Sequence, residues 1–585
     1  MAIVLSRTDP TSVMASTVDE RGELVGAPLA LEFSALAAFV TERERAHRAA
    51  GDAAERWVWS DSSRWYGDLL TAGVRVQRCH DLRLSHAILR NSTLSAGTEF
   101  ARSAPSEWSR PAEPLTAAVA PVHSALFDLS DTIASGRSAA AADDSVAEYR
   151  RQLRAIAEVP DAGRLRLLLA AESVGALIAA EMRSAGLPWR TEVHDAILTE
   201  ELGPRVPYGT RPAKLEVLAG RIRSILGDNT VNPDSPQSML KALNRAGLMI
   251  TSTSRWELAE YTHPVIAPLL EYKKRARLLT ANGWTWMDQW IVDGRFHPDY
   301  VPGGAATGRW ATSGGGALQL PRQIRAAVTA DPGWKLVVAD AAQLEPRILA
   351  ALSADTSMAA AGRGVDMYAG IVASGVVETR DQAKVAMLGA MYGATTGESG
   401  RLMPKLTRAY PRAIRLVEQA ARAGERGELV TTWLGRSSPA PGEDWREAQW
   451  RASQPGASTA EEARARSRAR DWGRFTRNFV VQGSAAEWAL CWMAELRKGL
   501  LAIEGMNPQP PGRRAAASGP VFERIPHLVF FLHDEIIVHT PAEHAEEVAA
   551  VVTAAAATSG RLLFGDFPVD FPLGIATVER YSDAK

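Results

Sequence analysis

The sequence predicts an α/β (α+β) fold divided among several domains, and three observations support that reading. The 585 residues exceed what one hydrophobic core accommodates. Apolar, β-branched runs bounded by turn formers, notably residues 335–340 and 528–538, read as buried strands. Long stretches with helical periodicity separate them, at 146–226, 341–429 and 472–500.

Taken in chain order, residues 1–100 mix short apolar runs with helical patterns and suit a small α/β domain. Residues 101–145 are rich in Ala, Ser and Pro, as expected of a connector. The helical stretch that follows is broken by the turn Asn232-Pro233-Asp234-Ser235-Pro236 and resumes to about Asp293. Gly and Pro then favour strands and loops over 294–321. Residues 437–468 are polar and Pro/Ala-rich and read as a mobile insertion, and 505–520 as a flexible loop before a final hairpin. Charged residues are 23% and the net charge is −1, so total charge neither indicates nor excludes a nucleic-acid partner. Two distant cysteines, Cys79 and Cys491, provide no disulfide framework and no thiolate zinc site, which suggests a reducing compartment. The N-terminus lacks the order of a signal peptide, and no apolar run is long enough to span a membrane, so a cytoplasmic monomer is expected.

Three constellations carry chemistry. In the run 528–538, His533, Asp534 and Glu535 interrupt apolar residues, and buried carboxylates need a cation or a metal. Asp340 likewise ends an apolar strand, followed by Gln343, Glu345 and Arg347. Two carboxylates at strand ends can jointly bind hard divalent cations, the clamp used in phosphoryl transfer. The plainer alternatives are a solvated hairpin tip and a helix N-cap. The second constellation, Arg380, Lys384, Leu388 and Tyr392, is spaced by four and forms a helical stripe about 18 Å long. Such a stripe suits phosphates at one end and a base or sugar at the other, against the alternative of snorkelling surface cations. The third comprises Thr307-Gly308-Arg309, Gln319 and Arg325, together with Arg474, Asn478 and Gln482 on a helix. These polar side chains suit minor-groove acceptors, which vary little between base pairs.

In this order the motifs resemble those of the family A DNA polymerases, over about residues 165–585. Asp340-Ala341-Ala342-Gln343-Leu344-Glu345-Pro346-Arg347 is similar to the family's first palm motif, and the Arg380/Lys384/Leu388/Gly389/Tyr392/Gly393 set to its fingers helix. His533-Asp534-Glu535 matches the last palm motif, and Asn478-x3-Gln482-Gly483 and Thr307-Gly308-Arg309 match two more signatures. The resemblance implies a right-hand polymerase fold of palm, fingers and thumb behind a small ribonuclease H-like domain. Its divisions would fall at 1–150 (exonuclease-like), 151–290 (helical entry and thumb), 291–346 (palm), 347–470 (fingers) and 471–585 (palm). It also implies template-dependent extension of a primer by deoxynucleoside triphosphates, with primer-template DNA as partner. Asp340, Asp534 and the Ala341 carbonyl would hold two Mg²⁺ ions, with Mn²⁺ as a substitute, and Glu535 nearby would join Asp340, Asp534 and Lys384 in the catalytic set. Arg380 and Lys384 would bind the triphosphate, with Lys384 the acid that protonates pyrophosphate. Gln343, Glu345, Leu388 and Tyr392 would surround the nucleotide. Thr307, Arg309, Gln319, Arg474, Asn478, Gln482 and His533 would hold the DNA.

Departures sharpen the expectations. Leu388 stands where the family has Phe or Tyr against the sugar, implying discrimination against dideoxynucleotides. Glu345 packed with Tyr392 would exclude a ribose 2′-hydroxyl and so select deoxynucleotides over the ribonucleotides of related phage RNA polymerases. The first 150 residues lack an Asp-x-Glu after an apolar strand. Sliding the family pattern over them sets Trp65 and Tyr149 where two further Asp ligands belong, the mark of a degenerate 3′–5′ exonuclease. A bifunctional polymerase with active exonuclease, and a catalytically silent DNA-binding relative, are the competing classes. Location in a bacterial nucleoid or a phage-infected host stays open.

Overall fold

The computed structural model describes residues 1–51, 54–110, 144–207, 209–393, 397–503 and 514–584. It is a mixed α/β structure in which helices predominate. The first sheet contains β1 (Ala2–Arg7), β2 (Ser12–Val18), β3 (Leu29–Glu32), β4 (Arg56–Trp59) and β5 (Arg78–Asp81), in the order β3-β2-β1-β4-β5. β1 pairs antiparallel with β2 and parallel with β4. As the central strand it is apolar on both faces, as a strand covered on two sides must be. Ile3 and Leu5 pack into one cluster with Trp65, whereas Ala2 and Val4 pack with Tyr149 in another. Trp65 and Tyr149 thus lie in separate apolar clusters.

The helix Ser145–Glu158 closes the second face of this sheet, with His80 Nε2 2.8 Å from Gln152 Oε1. It runs through the expected division at 150, and the 45-residue helix Thr459–Ile503 runs through that at 470. Residues 437–468 are not an irregular insertion. They hold the helix Glu443–Ala452 and the first turns of the long helix, joined by a 2.8 Å bond from Gln449 Nε2 to the Ala465 carbonyl. Alanine-rich polar sequence misled there, because Ala, Glu and Arg are strong helix formers even without an apolar stripe. Most of the connector at 101–145 and the loop at 505–520 lies outside the described residues.

A buried ion cluster ties the first sheet's surroundings to the long helix. Glu181, from the helix Gly163–Ala185, accepts from Arg497 Nη2 at 2.6 Å, Arg75 Nη2 at 3.0 Å and the Tyr66 hydroxyl at 2.7 Å. Arg497, 2% exposed, also donates to the Gln77 carbonyl at 3.0 Å. Burial alone would raise the Glu181 carboxyl, but the two guanidinium groups outweigh it and hold it well below the usual range.

The second sheet is wholly antiparallel: β6 (Trp334–Ala341), β7 (His527–Leu532), β8 (Glu535–Pro541) and β9 (Leu573–Val578), in the order β7-β8-β6-β9. The helix Ala545–Phe564 is apolar and long enough to cross a membrane by length alone. Here it instead buries Val548, Val552, Ala556 and Leu563 against this sheet and the long helix. At the far end of the sheet from the carboxylates, His539 is fully buried and stacks on Trp334 with ring centroids 4.4 Å apart. His527 lies edge-on to it at 5.3 Å. Burial holds both imidazoles neutral, His527 down to about 3 and His539 well below its ordinary value, with the Arg295 charge adding to the shift on both. A depressed histidine stabilises the fold above its unfolded pKa of about 6.5, and that stability is lost as pH falls below it. The gap in unfolding free energy between wild type and His539→Gln should thus narrow by up to about 1.4 kcal/mol per pH unit below 6.5. Denaturation at pH 7.5, 6 and 5 checks this, and a gap that stays constant would refute it.

Candidate active site

Strand register builds the site. Asp340 of β6 lies opposite Glu535 of β8, and the turn His533-Asp534 joins β7 to β8, so Asp534 comes beside Asp340 at one end of the sheet. The Ala341 N–H donates to the Asp534 carbonyl at 2.8 Å, fixing the two segments together. The Asp534 carboxyl is pushed up to about 6, first by burial and then by the Asp340 charge. Glu535 falls in the strand rather than the turn. It accepts from the Tyr581 hydroxyl at 2.6 Å and lies 3.8 Å from Arg325, whose guanidinium stacks on the Tyr581 ring. Its side chain is thus engaged from the C-terminal segment.

A cavity of about 300 Å³ opens beside these carboxylates. It is lined by Asp534 and His533, by Gln343, Glu345 and Tyr368, by Leu388, Met391 and Tyr392, and by Arg309, Ala485 and Ala486. Seven of the sequence-derived site residues meet here, from four separate segments. Glu345 is its hub: one carboxylate oxygen accepts from Arg309 Nη2, the other from the Tyr392 hydroxyl. Burial and the Glu345 charge raise the Tyr392 phenol above its ordinary value, so it stays a donor. Gln343 and His533 both adopt positive φ, 48° and 59°. Left-handed conformations are costly for such residues and persist where surrounding structure enforces them, commonly at functional sites. The His533 imidazole is held neutral, down to about 4, by burial and by the Arg309 charge, and its Nδ1 is buried without a hydrogen-bond partner among the described residues. A larger cleft of about 470 Å³ between Ser357 and Tyr410 has no charged lining residue and lies apart from the carboxylates.

The other expected residues do not line this cavity. Thr379 caps the helix Arg380–Tyr392, accepting from the Gln382 N–H, and Gly393 ends it in the left-handed conformation. Lys384 is exposed on this helix, and Arg380 is paired with Asp366. Arg477 of the long helix donates to the Ala390 carbonyl at 2.8 Å and docks the two helices together. Arg474 is exposed and paired with Asp471, while Asn478 and Gln482 are half-buried, with Asn478 Oδ1 lacking a partner among the described residues. Thr307 is buried with its carbonyl against Gly483, where a Cβ would lie 3.0 Å from that oxygen and 2.4 Å from Thr432, so only glycine permits the approach. Gln319 is exposed on a 3₁₀ turn, and no hydrogen bond among the described residues links it to the cavity. Sequence reasoning missed Asp366, Tyr368, Tyr581 and the Ala485-Ala486 pair, which carry no motif of their own.

Residues 210–577 match the family model for DNA polymerase family A. The chain belongs to DNA polymerase family A. Among its curated family A relatives, DNA polymerase I of Chloroflexus aurantiacus is 28% identical over 344 residues, 54% of this chain and 32% of that protein. The thermostable DNA polymerase I of Thermus thermophilus is 25% identical over 362 residues, 57% of this chain and 38% of that protein. The chain thus matches about a third of the length of these relatives. Among solved structures, the POL domain of Pol1 from M. smegmatis, in complex with DNA primer-template and dNTP, superposes with a TM-score of 0.65 at 16% identity. That match covers 100% of this chain and 96% of the other, so the family A polymerase-domain fold extends over the whole length, first sheet included.

Family A polymerases use divalent metals. Among the described residues, no group of three or more His, Cys, Asp or Glu side chains converges in ligating geometry. The Asp340–Asp534 pair nevertheless suits a hard cation. It offers only oxygen donors, and a divalent ion would compensate the burial and the neighbouring Asp340 charge that raise the Asp534 carboxyl.

Proposed function

We propose that the protein is a template-dependent DNA polymerase that extends a primer 3′-hydroxyl with deoxynucleoside triphosphates and releases pyrophosphate. The convergence of Asp534 with the Arg309–Glu345–Tyr392 cluster in one cavity carries this reading. Asp340 and Asp534, with the Ala341 carbonyl, would hold Mg²⁺. When bound, the metal lowers the pKa of the attacking hydroxyl and neutralises charge on the phosphates. The chain's own residues position and exclude. Arg380 and Lys384 would take the triphosphate, and Lys384, which is exposed, would protonate the departing pyrophosphate. Arg309, Arg474, Asn478, Gln482 and His533 face the primer-template. Glu535, engaged by Tyr581 and Arg325, positions the hairpin rather than contacting the reactants. In this reading β6–β9 form the palm, the Arg380 helix the fingers, and the first sheet a ribonuclease H-like domain without proofreading. The last point rests on β1, which carries no carboxylate.

Primer extension with Mg²⁺, a mismatched primer and separate deoxy- and ribonucleotide pools tests the reading. Failure to extend a matched primer would overturn it, metal-dependent removal of a mispaired end would overturn the lack of proofreading, and efficient dideoxy termination would overturn the role of Leu388. Glu345 projects into the cavity wall with one carboxylate oxygen held by Arg309 and the other by Tyr392, so its position against an added 2′-hydroxyl is fixed. Glu345→Ala should therefore raise ribonucleotide incorporation by about 10²-fold or more relative to deoxynucleotide. Unchanged discrimination would eliminate Glu345 as the gate.

A further inference from the structure

Arg380, the first cation of the cavity helix, already has a partner. Its guanidinium donates to Asp366 Oδ2 at 2.9 Å and lies 5.5 Å from the centre of the Tyr368 ring. The same carboxylate oxygen accepts from Gln343 Nε2 at 3.0 Å, and Gln343 Oε1 accepts from the Met367 N–H at 3.2 Å. Asp366 is itself held firmly. Its other oxygen caps the helix Met367–Ala373 by accepting from the Ala369 N–H at 2.9 Å. The adjoining Val365 carbonyl accepts from Arg347, a 1% exposed side chain that also donates to the Ala342 carbonyl. One carboxylate thus joins the Arg380 helix to Gln343, three residues from Asp340.

We propose that Asp366 is a polyphosphate-operated latch. In the nucleotide-free protein it occupies Arg380 and tethers the Arg380–Tyr392 helix to the carboxylate-bearing segment; an incoming triphosphate takes Arg380 from it and frees the helix. The proposal rests on the nucleotide-binding reading above and goes beyond it, since Asp366 itself touches no phosphate. The exchange is favourable in charge. A guanidinium fork binds the multiply charged oxygens of a polyphosphate better than one carboxylate. Asp366 keeps the Gln343 amide and the Ala369 N–H when Arg380 leaves, so its own charge is not stranded. Because Arg380 is half-exposed, the tether is weak enough to be released by ligand, shifting an equilibrium only a few-fold.

The test measures, on the full chain, equilibrium affinity for inorganic tripolyphosphate and for a template-matched deoxynucleotide on a primer lacking its 3′-hydroxyl. Asp366→Asn and Asp366→Ser both retain an N-cap acceptor and remove the charge. Each should tighten both ligands about two- to fivefold. In an Arg380→Ala background the same substitutions should change neither affinity. Unchanged or weakened binding in both variants would overturn the latch. So would an equal gain in the Arg380→Ala background, which would mean that Asp366 only repels anions. Primer extension reports separately on the polymerase reading, and the tripolyphosphate titration remains interpretable if no extension occurs.

Discussion

Asp534→Asn should reduce primer extension by about a thousandfold or more while raising the thermal stability of the metal-free protein at pH 8. The activity loss is expected because Asp534 is one of the two carboxylates proposed to hold the metal that neutralises charge on the phosphates. The stability gain follows from the same geometry. Burial and Asp340 raise the Asp534 carboxyl from 3.8 to about 6. A raised carboxyl contributes stability that is fully present below its unfolded pKa and lost as pH climbs through the folded value. Wild type has lost that contribution by pH 8, up to about 3 kcal/mol for this displacement. The uncharged amide has not, so the advantage of the variant should be large at pH 8 and vanish near pH 4. Calorimetry in chelator at the two pH values, beside a primer-extension assay, checks both halves. A variant less stable than wild type at pH 8 would show that ionising Asp534 in this buried setting beside Asp340 carries no penalty.

The second large effect concerns Arg497. Its replacement by Met should destabilise the protein by about 3–5 kcal/mol, because Glu181 would lose its closest cation while remaining buried. Arg75 stays within 3.0 Å and limits the loss toward the lower figure. Glu181→Gln should cost less in the Arg497→Met background than in wild type, because it then strands one buried guanidinium, that of Arg75, rather than two. Denaturant titration of the two single variants and the double variant measures this. Strict additivity would mean that the cluster is not a coupled unit.

The strands that carry carboxylates were legible because burial imposes a pattern: an Asp at the end of an apolar run is conspicuous, and both ends met in the sheet as read. The helix stripe was legible for the same reason of period, and Leu388 and Tyr392 do line the cavity together. Asp366 was not legible. Its role depends on where Arg347 anchors the Val365 carbonyl, a tertiary contact across 18 residues with no local signature. Tyr581 escaped for a similar reason, since a lone tyrosine gives no hint that its hydroxyl reaches Glu535. The long helix was shortened in the reading because its first turns are polar throughout and lack the amphipathic stripe that marks a helix docked on a core.

The 45-residue helix also acts mechanically, as a rigid arm. Arg497 clamps it near one end, Ala485 sits twelve residues up, about 18 Å away, and Arg474 about 35 Å away at 1.5 Å per residue. A tilt of about 5° at the clamp would move the cavity wall by about 1.6 Å and the exposed arginine by about 3 Å. Misplacements of about 1 Å can cost a hundredfold in rate. The segments around the first sheet, though its central strand carries no carboxylate, thus hold one end of the helix that supplies the Ala485-Ala486 wall of the cavity.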